Sequence, residues 1–350
     1  MLKPVVISNH TISAGHQPFI IAEMSGNHNG SLDRALQIVD AIAASGAQAL
    51  KLQTYTADTM TLNINKPDFV ISDKNSLWYG RKLYELYQEA HTPWAWHKPI
   101  FERARNLGLV AFSSAFDATS VDFLMSLDVP CIKIASFENT DIPLLRKVAS
   151  TGKPVIISTG TANKKEMETA LKTLRSAGAK DVIMLKCTSS YPASPTDSNL
   201  LTIPDMQKRF KTHIGLSDHT MGIGAAVASV ALGACVIEKH VTLSRNDGGV
   251  DSAFSLEPHE LKALVEETKV AWQAIGKVNY EPTEKEKKSF IFRRSLYVVK
   301  DIKKGEKFTA ENVRCIRPGY GLAPAFLYKV LGSSAKCDIE AGTALTKDTF

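Results

Sequence analysis

The stretch CIKIASFENTDIPLLRKVASTGKPVIIS, residues 131–158, contains one complete strand–helix–strand unit. Apolar runs at Cys131–Ala135 and Val155–Ser158 flank a helical pattern over 141–150, and Pro143 stands in the first helical turn, where proline is well tolerated. Both runs are continuously apolar rather than alternating, as expected for parallel strands that are covered on both faces. The unit therefore predicts an α/β fold with a parallel sheet.

The same pattern repeats in both directions from this stretch. Apolar runs predict strands at Phe19–Glu23, Ala47–Leu52, Leu109–Phe112, Cys131–Ala135, Val155–Ser158, Val182–Lys186, His213–Leu216 and Val236–Lys239. Helical patterns follow at 31–45, 93–107, 118–127, 141–150, 163–177, 200–210, 222–233 and 257–275. Eight such units predict a (β/α)8 TIM barrel. A doubly wound sheet is disfavoured, because no Gly-x-Gly-x-x-Gly motif follows any of the runs.

The remaining segments predict three additions to the barrel. Residues 1–17 should form a hairpin that closes the barrel bottom, and the long segment 54–92 should fold over its mouth, where long loops commonly carry function. Residues 281–292 have the charged composition of a solvated linker, and 293–350 should form a small β-rich domain. The predicted division is therefore 1–280, 281–292 and 293–350.

Composition and charge limit the function classes. The 350 residues are 44% hydrophobic and 22% charged, which is typical of a globular protein. Residues 281–350 contain 14 Lys+Arg and 9 Asp+Glu, so most of the net charge of +6 lies in the tail. Such a tail suits nucleic acid or an anionic small molecule, but it lacks the basic clusters with interleaved aromatics of a nucleic-acid module. Five separated cysteines and the lack of a signal peptide or long apolar segment predict a cytoplasmic protein without membrane contact.

Polar residues follow the predicted strands, at the end of a barrel where active sites lie. Lys51, Lys133 and Lys186 are predicted to face inward, and buried lysines need anionic partners. Together with the hydroxyls of Ser113, Ser136 and Ser158, they predict a site for phosphate and carboxylate oxygens of a small molecule.

Two histidines stand after neighbouring strands. His219 and His240 should face each other and, with Glu23 or Glu238 beside them, could hold a divalent cation with open positions. Glu23 is a candidate general acid or base. The alternative for Glu23 is an ion pair with Lys51 or Lys239.

These residues resemble the sialic-acid synthases, which condense phosphoenolpyruvate with an amino sugar. The resemblance spans nearly the whole chain and rests on IAEMSGNHNG (21–30), KLQT (51–54), IKIAS (132–136), CTSSYP (187–192), GLSDHT (215–220), EKH (238–240) and RRS (293–295). The tail, with RPGYG (317–321), is similar to the antifreeze-like (SAF) domain of that family. The loop motifs LWYGRKLY (77–84) and LYQEAHTPW (86–94) resemble the branch that makes pseudaminic acid from a 2,4-diacetamido-2,4,6-trideoxy sugar. An aromatic, rather apolar loop suits a sugar that carries a methyl group in place of a hydroxymethyl.

The resemblance implies a residue-level site. Phosphoenolpyruvate would contact Lys51, Ser114, Lys133, Ser136, Ser158, Ser189, Tyr191 and Ser217. The sugar would contact Gln53, Tyr191, Asp251 and Arg317, and the catalytic group would comprise Glu23, His219, His240 and Asp251. His219 and His240 would hold a divalent metal, Mn²⁺ before Mg²⁺ or Co²⁺. Ser189 replaces an Asn that neuraminate-forming relatives tend to have.

The resemblance further implies a domain-swapped homodimer in which the tail covers the partner's barrel mouth, with Arg317 reaching the sugar. Two alternatives keep enzymatic activity: a legionaminate or N-acetylneuraminate synthase, and a metal-dependent aldolase that uses free pyruvate. A nucleic-acid-binding protein is the alternative without catalysis.

Overall fold

Eight parallel strands close into a barrel in the computed structural model, which describes residues 2–350. The barrel strands are β3 (Phe19–Glu23), β4 (Ala49–Thr54), β5 (Val110–Ala115), β6 (Ile132–Ile134), β7 (Val155–Ser158), β8 (Val182–Cys187), β9 (His213–Asp218) and β10 (Val236–His240). They follow one another in chain order, and β10 pairs with β3 to close the ring. The predicted TIM barrel is confirmed.

A helix follows each barrel strand and packs its apolar face on the outside of the ring. These helices are α1 (Leu32–Ser45), α4 (Trp94–Asn106), α5 (Ala118–Ser126), α6 (Ile142–Ser150), α7 (Lys164–Ser176), α8 (Thr202–Phe210), α9 (Gly224–Ala231) and α10 (Pro258–Ile275). In α1, Ser31 caps the first turn by accepting from the Arg34 N–H, and Ile38 and Ile42 lie fully buried against the strands. Each such buried side chain contributes about 1.5–3 kcal/mol.

The bottom of the barrel carries the predicted hairpin, formed by β1 (Val5–Ile7) and β2 (His10–Ile12). Val5, Ile7 and Ile12 belong to the same buried apolar core as the barrel strands. His213, the first residue of β9, has its Nε2 2.8 Å from the Lys3 carbonyl oxygen, which fixes the hairpin at the amino ends of the strands.

The segment between β4 and α4 contains two short helices, α2 (Ala57–Met60) and α3 (Leu83–Ala90), with a 3-10 turn at Pro67–Phe69 between them. Trp78 lies in the connection before α3, and its indole N–H donates to the Val250 carbonyl at 3.0 Å. Val250 belongs to the loop after β10, so the segment crosses the carboxyl end of the barrel, as expected from its length.

The chain divides into a first unit that ends at Gly276 and a second unit, Lys277–Phe350. The second unit pairs β11 (Ser295–Val298) antiparallel with β12 (Val313–Ile316) over its own apolar core, and it also contains the short helix α12 (Leu327–Val330). Part of the predicted linker is helical: Thr283 caps α11 (Glu284–Lys287), and a 3-10 turn continues to Phe292. The charged composition of this segment led to the prediction of a linker, although Thr283 and Glu286 have the spacing of a Thr-x-x-Glu capping box, which starts a helix. Across residues 2–350, no helix is long and apolar enough to cross a membrane.

Candidate active site

Four charged side chains meet inside the carboxyl half of the barrel. Glu23, Lys51, Lys133 and Glu238 come from β3, β4, β6 and β10, and none is more than 4% exposed. Lys51 contacts Glu23, and the Glu238 carboxylate lies 3.4 Å from Lys133 Nζ and 3.8 Å from Lys51 Nζ. The barrel therefore neutralises its buried lysines with its own carboxylates, and Glu23 takes the ion pair with Lys51 that the sequence left as an alternative.

The pKa values of these groups reflect burial opposed by pairing. Burial alone would lower the pKa of Lys51, but Glu23 and Glu238 outweigh it and raise that pKa above its usual value. Burial would raise the pKa of Glu238, but Lys133 and Lys51 hold it below its usual value. For Lys133, burial prevails over the attraction of Glu238 and lowers the pKa. Lys133 is thus the less well compensated of the two lysines.

Three of the predicted serines complete this cluster. Ser114 and Ser158 accept hydrogen bonds from Lys51 and Lys133 at 3.0 and 2.7 Å, and Ser217 donates to Glu238 at 3.1 Å. These hydroxyls surround the ammonium groups and are themselves able to donate to a bound anion.

Two inward placements predicted from the sequence are wrong. Ser113 lies on the outer face of β5, where its hydroxyl is 2.6 Å from the Thr54 hydroxyl, which contacts His97 of α4. Successive side chains of a strand point to opposite faces, so Ser114 takes the inward position. Lys186 lies apart from the cluster, because its ammonium donates to the Cys187 carbonyl and the Thr188 hydroxyl.

Ser136, Gly160 and Ser189 form a small polar cradle beside the lysines. The Gly160 N–H donates to the Ser136 hydroxyl at 3.2 Å, and Asn139 fixes the geometry by donating to the carbonyls of Ser136 and Gly160. A Cβ at position 160 would lie 2.0 Å from the Ser189 hydroxyl and 2.7 Å from that of Ser136. The missing side chain at Gly160 thus keeps open the space where both hydroxyls converge, an arrangement suited to an anion.

His219 and His240 face each other as predicted, with ring centroids 5.3 Å apart. The ring centroid of Tyr191 lies 4.5 Å from that of His219, and the ring centroid of Phe254 lies 5.0 Å from that of His240. Nδ1 of His219 donates to the Thr188 carbonyl at 3.0 Å, which leaves its Nε2 free. Nδ1 of His240 is buried without a hydrogen-bond partner, and burial lowers the pKa of this imidazole well below its usual value.

A neutral imidazole with an unpartnered nitrogen suits a cation. Within residues 2–350, no group of three or more His, Cys, Asp or Glu side chains is placed to bind a metal. A cation here would therefore have the two imidazoles as protein ligands and would take its others from water or substrate. The carboxylate beside the pair is Asp251, 3.6 Å from His240 Nδ1, because Glu23 and Glu238 are engaged with lysines.

Ser25 joins the predicted sugar contacts Gln53 and Asp251. Gln53 donates to the Ser25 hydroxyl at 3.1 Å, Ser25 donates to Asp251, and the Ser25 backbone N–H donates to Glu23 at 2.8 Å. Burial raises the pKa of Asp251. Sequence reasoning assigned no role to Ser25, although it stands two residues after Glu23 in the motif at the end of β3.

A second set of hydrogen bonds fixes the loop that carries Asp251. Asn27 donates to the Val241 carbonyl and the Ser255 hydroxyl, both at 2.8 Å, and Arg34 pairs with Asp247 at 2.7 Å. These bonds tie the end of β3 to the loop after β10 across the seam where the barrel closes.

A cavity of about 410 Å³ opens above this floor and lies under the segment between β4 and α4. Its polar lining includes Ser25, Gln53 and Asp251, and its apolar lining includes Trp78 and Leu86. Its volume lies within the range of small-molecule sites.

Two further residues of this region were missed by sequence reasoning. Glu138 lines the cavity, and burial raises its pKa to about 7. The Sγ atom of Cys187 lies 3.9 Å from Nδ1 of His219. Burial would raise the pKa of the Cys187 thiol, but the contact with His219 outweighs it and lowers the pKa to about 7. Cys187 is the last residue of β8, and Glu138 lies in the 3-10 turn after β6; these positions near the carboxyl ends of the strands were the available signal. Arg317, in contrast, lies exposed in the second unit, directly after β12.

Comparison with known proteins shows which families and which individual proteins this chain is similar to. Residues 38–280 match the NeuB family, and residues 293–350 match the SAF domain. A pseudaminic acid synthase of Campylobacter jejuni subsp. jejuni serotype O:23/36 (strain 81-176) is 47% identical over 95% of this chain and 96% of its own length. A pseudaminic acid synthase of Helicobacter pylori (strain ATCC 700392 / 26695) is 43% identical over 95% of this chain and 97% of its own.

Among solved structures, the N-acetylneuraminic acid synthetase of Leptospira borgpetersenii serovar Hardjo-bovis, in complex with citrate, superposes with a TM-score of 0.74 at 32% identity. The alignment covers 83% of this chain and 95% of that protein.

Proposed function

The chain belongs to the NeuB family, and we propose that it is a transferase, a pseudaminic acid synthase. It condenses phosphoenolpyruvate, water and the open-chain aldehyde of 2,4-diacetamido-2,4,6-trideoxy-altropyranose to give pseudaminate and phosphate. The observation that carries this choice of sugar is the 47% identity, over 95% of the chain, to the Campylobacter enzyme of that name.

The reaction forms one carbon–carbon bond and releases phosphate. C3 of phosphoenolpyruvate attacks the aldehyde carbon, whose oxygen takes up a proton. Water adds to the resulting cation at C2 and loses a proton. The bond from C2 to the phosphate oxygen then breaks, while the new hydroxyl loses its proton and becomes the keto oxygen, and phosphate is released. The barrel has to hold a small polyanion beside an aldehyde, out of bulk water.

The lysine cluster and the cradle are proposed to bind phosphoenolpyruvate. Lys51 and Lys133 supply two ammonium groups as hydrogen-bond donors. Ser114 and Ser158 hold these ammonium groups in place, and Ser217 holds the Glu238 carboxylate. Ser136, Ser189 and Tyr191 would donate to the anionic oxygens across the space that Gly160 leaves open.

Asp251 and Gln53 are proposed to bind the sugar. Both line the cavity and are joined through Ser25, so their positions are fixed before the sugar arrives. Asp251, with its raised pKa, can hold a proton near the aldehyde oxygen. Glu23 would act chiefly by orienting Lys51 and the Ser25 N–H.

A divalent metal, Mn²⁺ in the first place and Mg²⁺ or Co²⁺ as alternatives, is proposed to bind His219 and His240. The unpartnered Nδ1 of His240 and the free Nε2 of His219 support this assignment. When bound, such an ion acts as a Lewis acid that polarises the aldehyde.

We further propose a homodimer with exchanged tail domains, in which Arg317 of one copy contacts the sugar in the other. The exposure of Arg317 and its position after β12 are compatible with that role. The proposed location is the cytoplasm. The protein is expected to work without nucleic acid or membrane.

Phosphate release, measured with each candidate sugar, tests the sugar assignment. The diacetamido-trideoxy sugar should be the best substrate, and a better rate with N-acetylmannosamine or a legionaminate precursor would overturn the choice. Oxygen-18 in the bridging position of phosphoenolpyruvate should leave with phosphate; its retention in the product would exclude C–O cleavage.

Metal removal tests the histidine assignment. A chelator should abolish turnover and Mn²⁺ should restore it. Full activity of a His219→Ala, His240→Ala double variant would refute the metal site.

The second candidate is an N-acetylneuraminate or legionaminate synthase with the same chemistry. The 32% identity to the N-acetylneuraminic acid synthetase of Leptospira supports this candidate. A pyruvate aldolase, in contrast, would need no phosphoenolpyruvate and would release no phosphate.

A further inference from the structure

The sugar of the proposed reaction has to open its ring before it can react. Its acetamido groups occupy C2 and C4, so only the C5 hydroxyl can close an unstrained ring with C1, and in water the sugar is mainly this cyclic hemiacetal. The open aldehyde is a small fraction of the total and forms slowly at neutral pH without a catalyst. A typical enzyme turns over at about 10 s⁻¹, so a supply of aldehyde at that rate needs catalysis of ring opening.

Glu138 is a carboxyl group of the cavity to which the proposed condensation gives no role. It ends the 3-10 turn Ser136–Glu138, which follows β6, and it lines the cavity of about 410 Å³ together with Tyr87 and Asp251. Its Oε2 atom is buried and has no hydrogen-bond partner among residues 2–350. A buried polar atom without a partner costs free energy, and a catalytic role is one of the reasons for which a fold keeps such an atom.

The surroundings of Glu138 let it both hold and release a proton near neutral pH. Burial raises the pKa of this carboxyl to about 7, and the opposite effects of its own backbone N–H and of Lys133 do not overcome burial. Asp141 adds to the rise. Burial and the charge of Glu138 also raise the pKa of Tyr87, so the Tyr87 hydroxyl remains a hydrogen-bond donor to the sugar at neutral pH.

Glu138 differs in this respect from the two carboxylates of the barrel floor. Glu23 contacts the Lys51 ammonium, and Glu238 lies 3.4 Å from Lys133 Nζ. At Glu138 burial prevails instead, so its charged form destabilises the fold. A titratable group that lines a cavity at such a cost is typical of a functional residue.

We propose that Glu138 opens the cyclic sugar, so that the protein catalyses a second reaction, the interconversion of hemiacetal and aldehyde. This inference rests on the proposed function. The neutral carboxyl gives its proton to the ring oxygen as the C1–O5 bond breaks, and the bonding pair stays on O5. The carboxylate then takes the proton of the C1 hydroxyl, whose electron pair completes the C=O bond. Glu138 ends the step neutral, and the aldehyde forms in the cavity that Asp251 also lines.

Exchange between the two anomers of the diacetamido-trideoxy sugar measures ring opening by itself. Followed by NMR without phosphoenolpyruvate, this exchange should be faster with the wild-type protein than in buffer. Glu138→Gln keeps the size of the side chain but cannot pass on a proton, and it should reduce the acceleration by about 10²-fold. Glu85→Gln is the matched control: it makes the same change on α3, where 60% of the side chain is exposed and does not line the cavity, and it should match wild type.

A sugar analogue without the C5 hydroxyl separates opening from condensation, because it cannot close the ring. In phosphate release with phosphoenolpyruvate, Glu138→Gln should lower kcat/KM about 10²-fold for the cyclic sugar and leave it nearly unchanged for the 5-deoxy analogue. At high concentrations of this variant, the rate with the cyclic sugar should no longer depend on protein concentration, because uncatalysed opening then limits it. Thermal unfolding at pH 8 should show that Glu138→Gln is at least as stable as wild type.

The outcomes separate this inference from the function on which it rests. No phosphate release by the wild-type protein with the cyclic sugar would overturn the proposed function and the inference with it. Phosphate release without faster anomer exchange, or equal exchange with wild type and Glu138→Gln, would overturn the inference alone. An equal loss with the cyclic sugar and the 5-deoxy analogue would also overturn it, because Glu138 would then act in the condensation. If the wild-type protein does not use the analogue, the anomer exchange decides.

Discussion

Gly160→Ala should disable anion binding without unfolding the barrel. The added Cβ would stand 2.0 Å from the Ser189 hydroxyl and 2.7 Å from the Ser136 hydroxyl, and no non-bonded carbon and oxygen approach so closely. The two closest obstacles are the hydroxyl ends of short side chains, the Ser136 Cβ at 3.1 Å needs a shift of only a few tenths of an ångström, and Gly160 is not among the glycines with positive φ. The hydroxyls must therefore rotate away while the backbone stays in place.

The size of the effect follows from the two hydrogen bonds that the anion loses. A hydrogen bond to a charged group contributes about 1.5–3 kcal/mol, so two of them amount to at least about 3 kcal/mol. At about 1.4 kcal/mol per tenfold change, KM for phosphoenolpyruvate should rise by at least about 10²-fold. The KM for the sugar should change much less, because Gln53 and Asp251 belong to a separate hydrogen-bonded chain.

Steady-state phosphate release, with one substrate varied at a time, measures both constants, and thermal unfolding checks the fold. Gly224→Ala is the matched control, since a Cβ there meets nothing within 4 Å. An unchanged KM for phosphoenolpyruvate in a folded Gly160→Ala protein would show that the cradle does not bind the anion. An equal rise of both KM values would indicate general damage to the site instead.

Three further changes address other parts of the site. Glu138→Gln should stabilise the protein at pH 8 by up to about 3 kcal/mol and have little effect near pH 4.5. The pKa of Glu138 is about 7 in the folded protein and about 4.5 in the unfolded chain, so the wild-type protein loses stability as the pH rises between these values. Urea unfolding at the two pH values checks the sign, and equal shifts at both would contradict it. Lys133→Met should lower the free energy of unfolding by about 3–5 kcal/mol in the same assay, because the buried Glu238 carboxylate then has only the Lys51 ammonium, 3.8 Å away, as a cationic partner. A smaller loss in a Lys133→Met, Glu238→Gln double variant would confirm this reason. Asn27→Ala should lower kcat about tenfold or more and raise the KM for the sugar, with the KM for phosphoenolpyruvate nearly constant, because it frees the loop that carries Asp251. Asn27→Ser with the same loss as Asn27→Ala would agree with this, and a change confined to stability would not.

The barrel itself was predictable because its signal is the repetition of apolar runs. The strands Phe19–Glu23 and Val155–Ser158 have the bounds that the sequence predicts. β5 and β9 extend further, to Ala115 and Asp218, because the hydrogen-bonded ladder continues through polar residues at which the predicted apolar runs stop. Inside a barrel mouth, polarity marks the site rather than the end of the strand.

The direction in which each polar side chain points was less accessible from the sequence. A strand that is covered on both faces shows no alternation, so nothing in the pattern around Ser113 and Ser114 tells which of them faces inward. The same ambiguity misplaced Lys186. Only the register of the closed barrel, in which Ser114 pairs with Lys133 of β6, decides the question.

The role of Glu238 changes the electrostatic argument for the whole site. Read from the sequence, Lys51 and Lys133 are free cations that attract an anion, but Glu23 and Glu238 already compensate them within the barrel. Two ammonium groups and two carboxylates sum to zero, and phosphoenolpyruvate brings up to three negative charges. A buried anion without compensation is prohibitively costly, so further positive charge has to join the site when substrate binds. The unpartnered nitrogen of His240 offers one place for it, a divalent cation, and the proposed insertion of Arg317 from a second copy offers another. Because the cluster of two lysines and two carboxylates is neutral, the proposed metal and the proposed exchange of tail domains have the same electrostatic reason. Each would supply positive charge that the substrate anion needs and that the lysines alone do not provide.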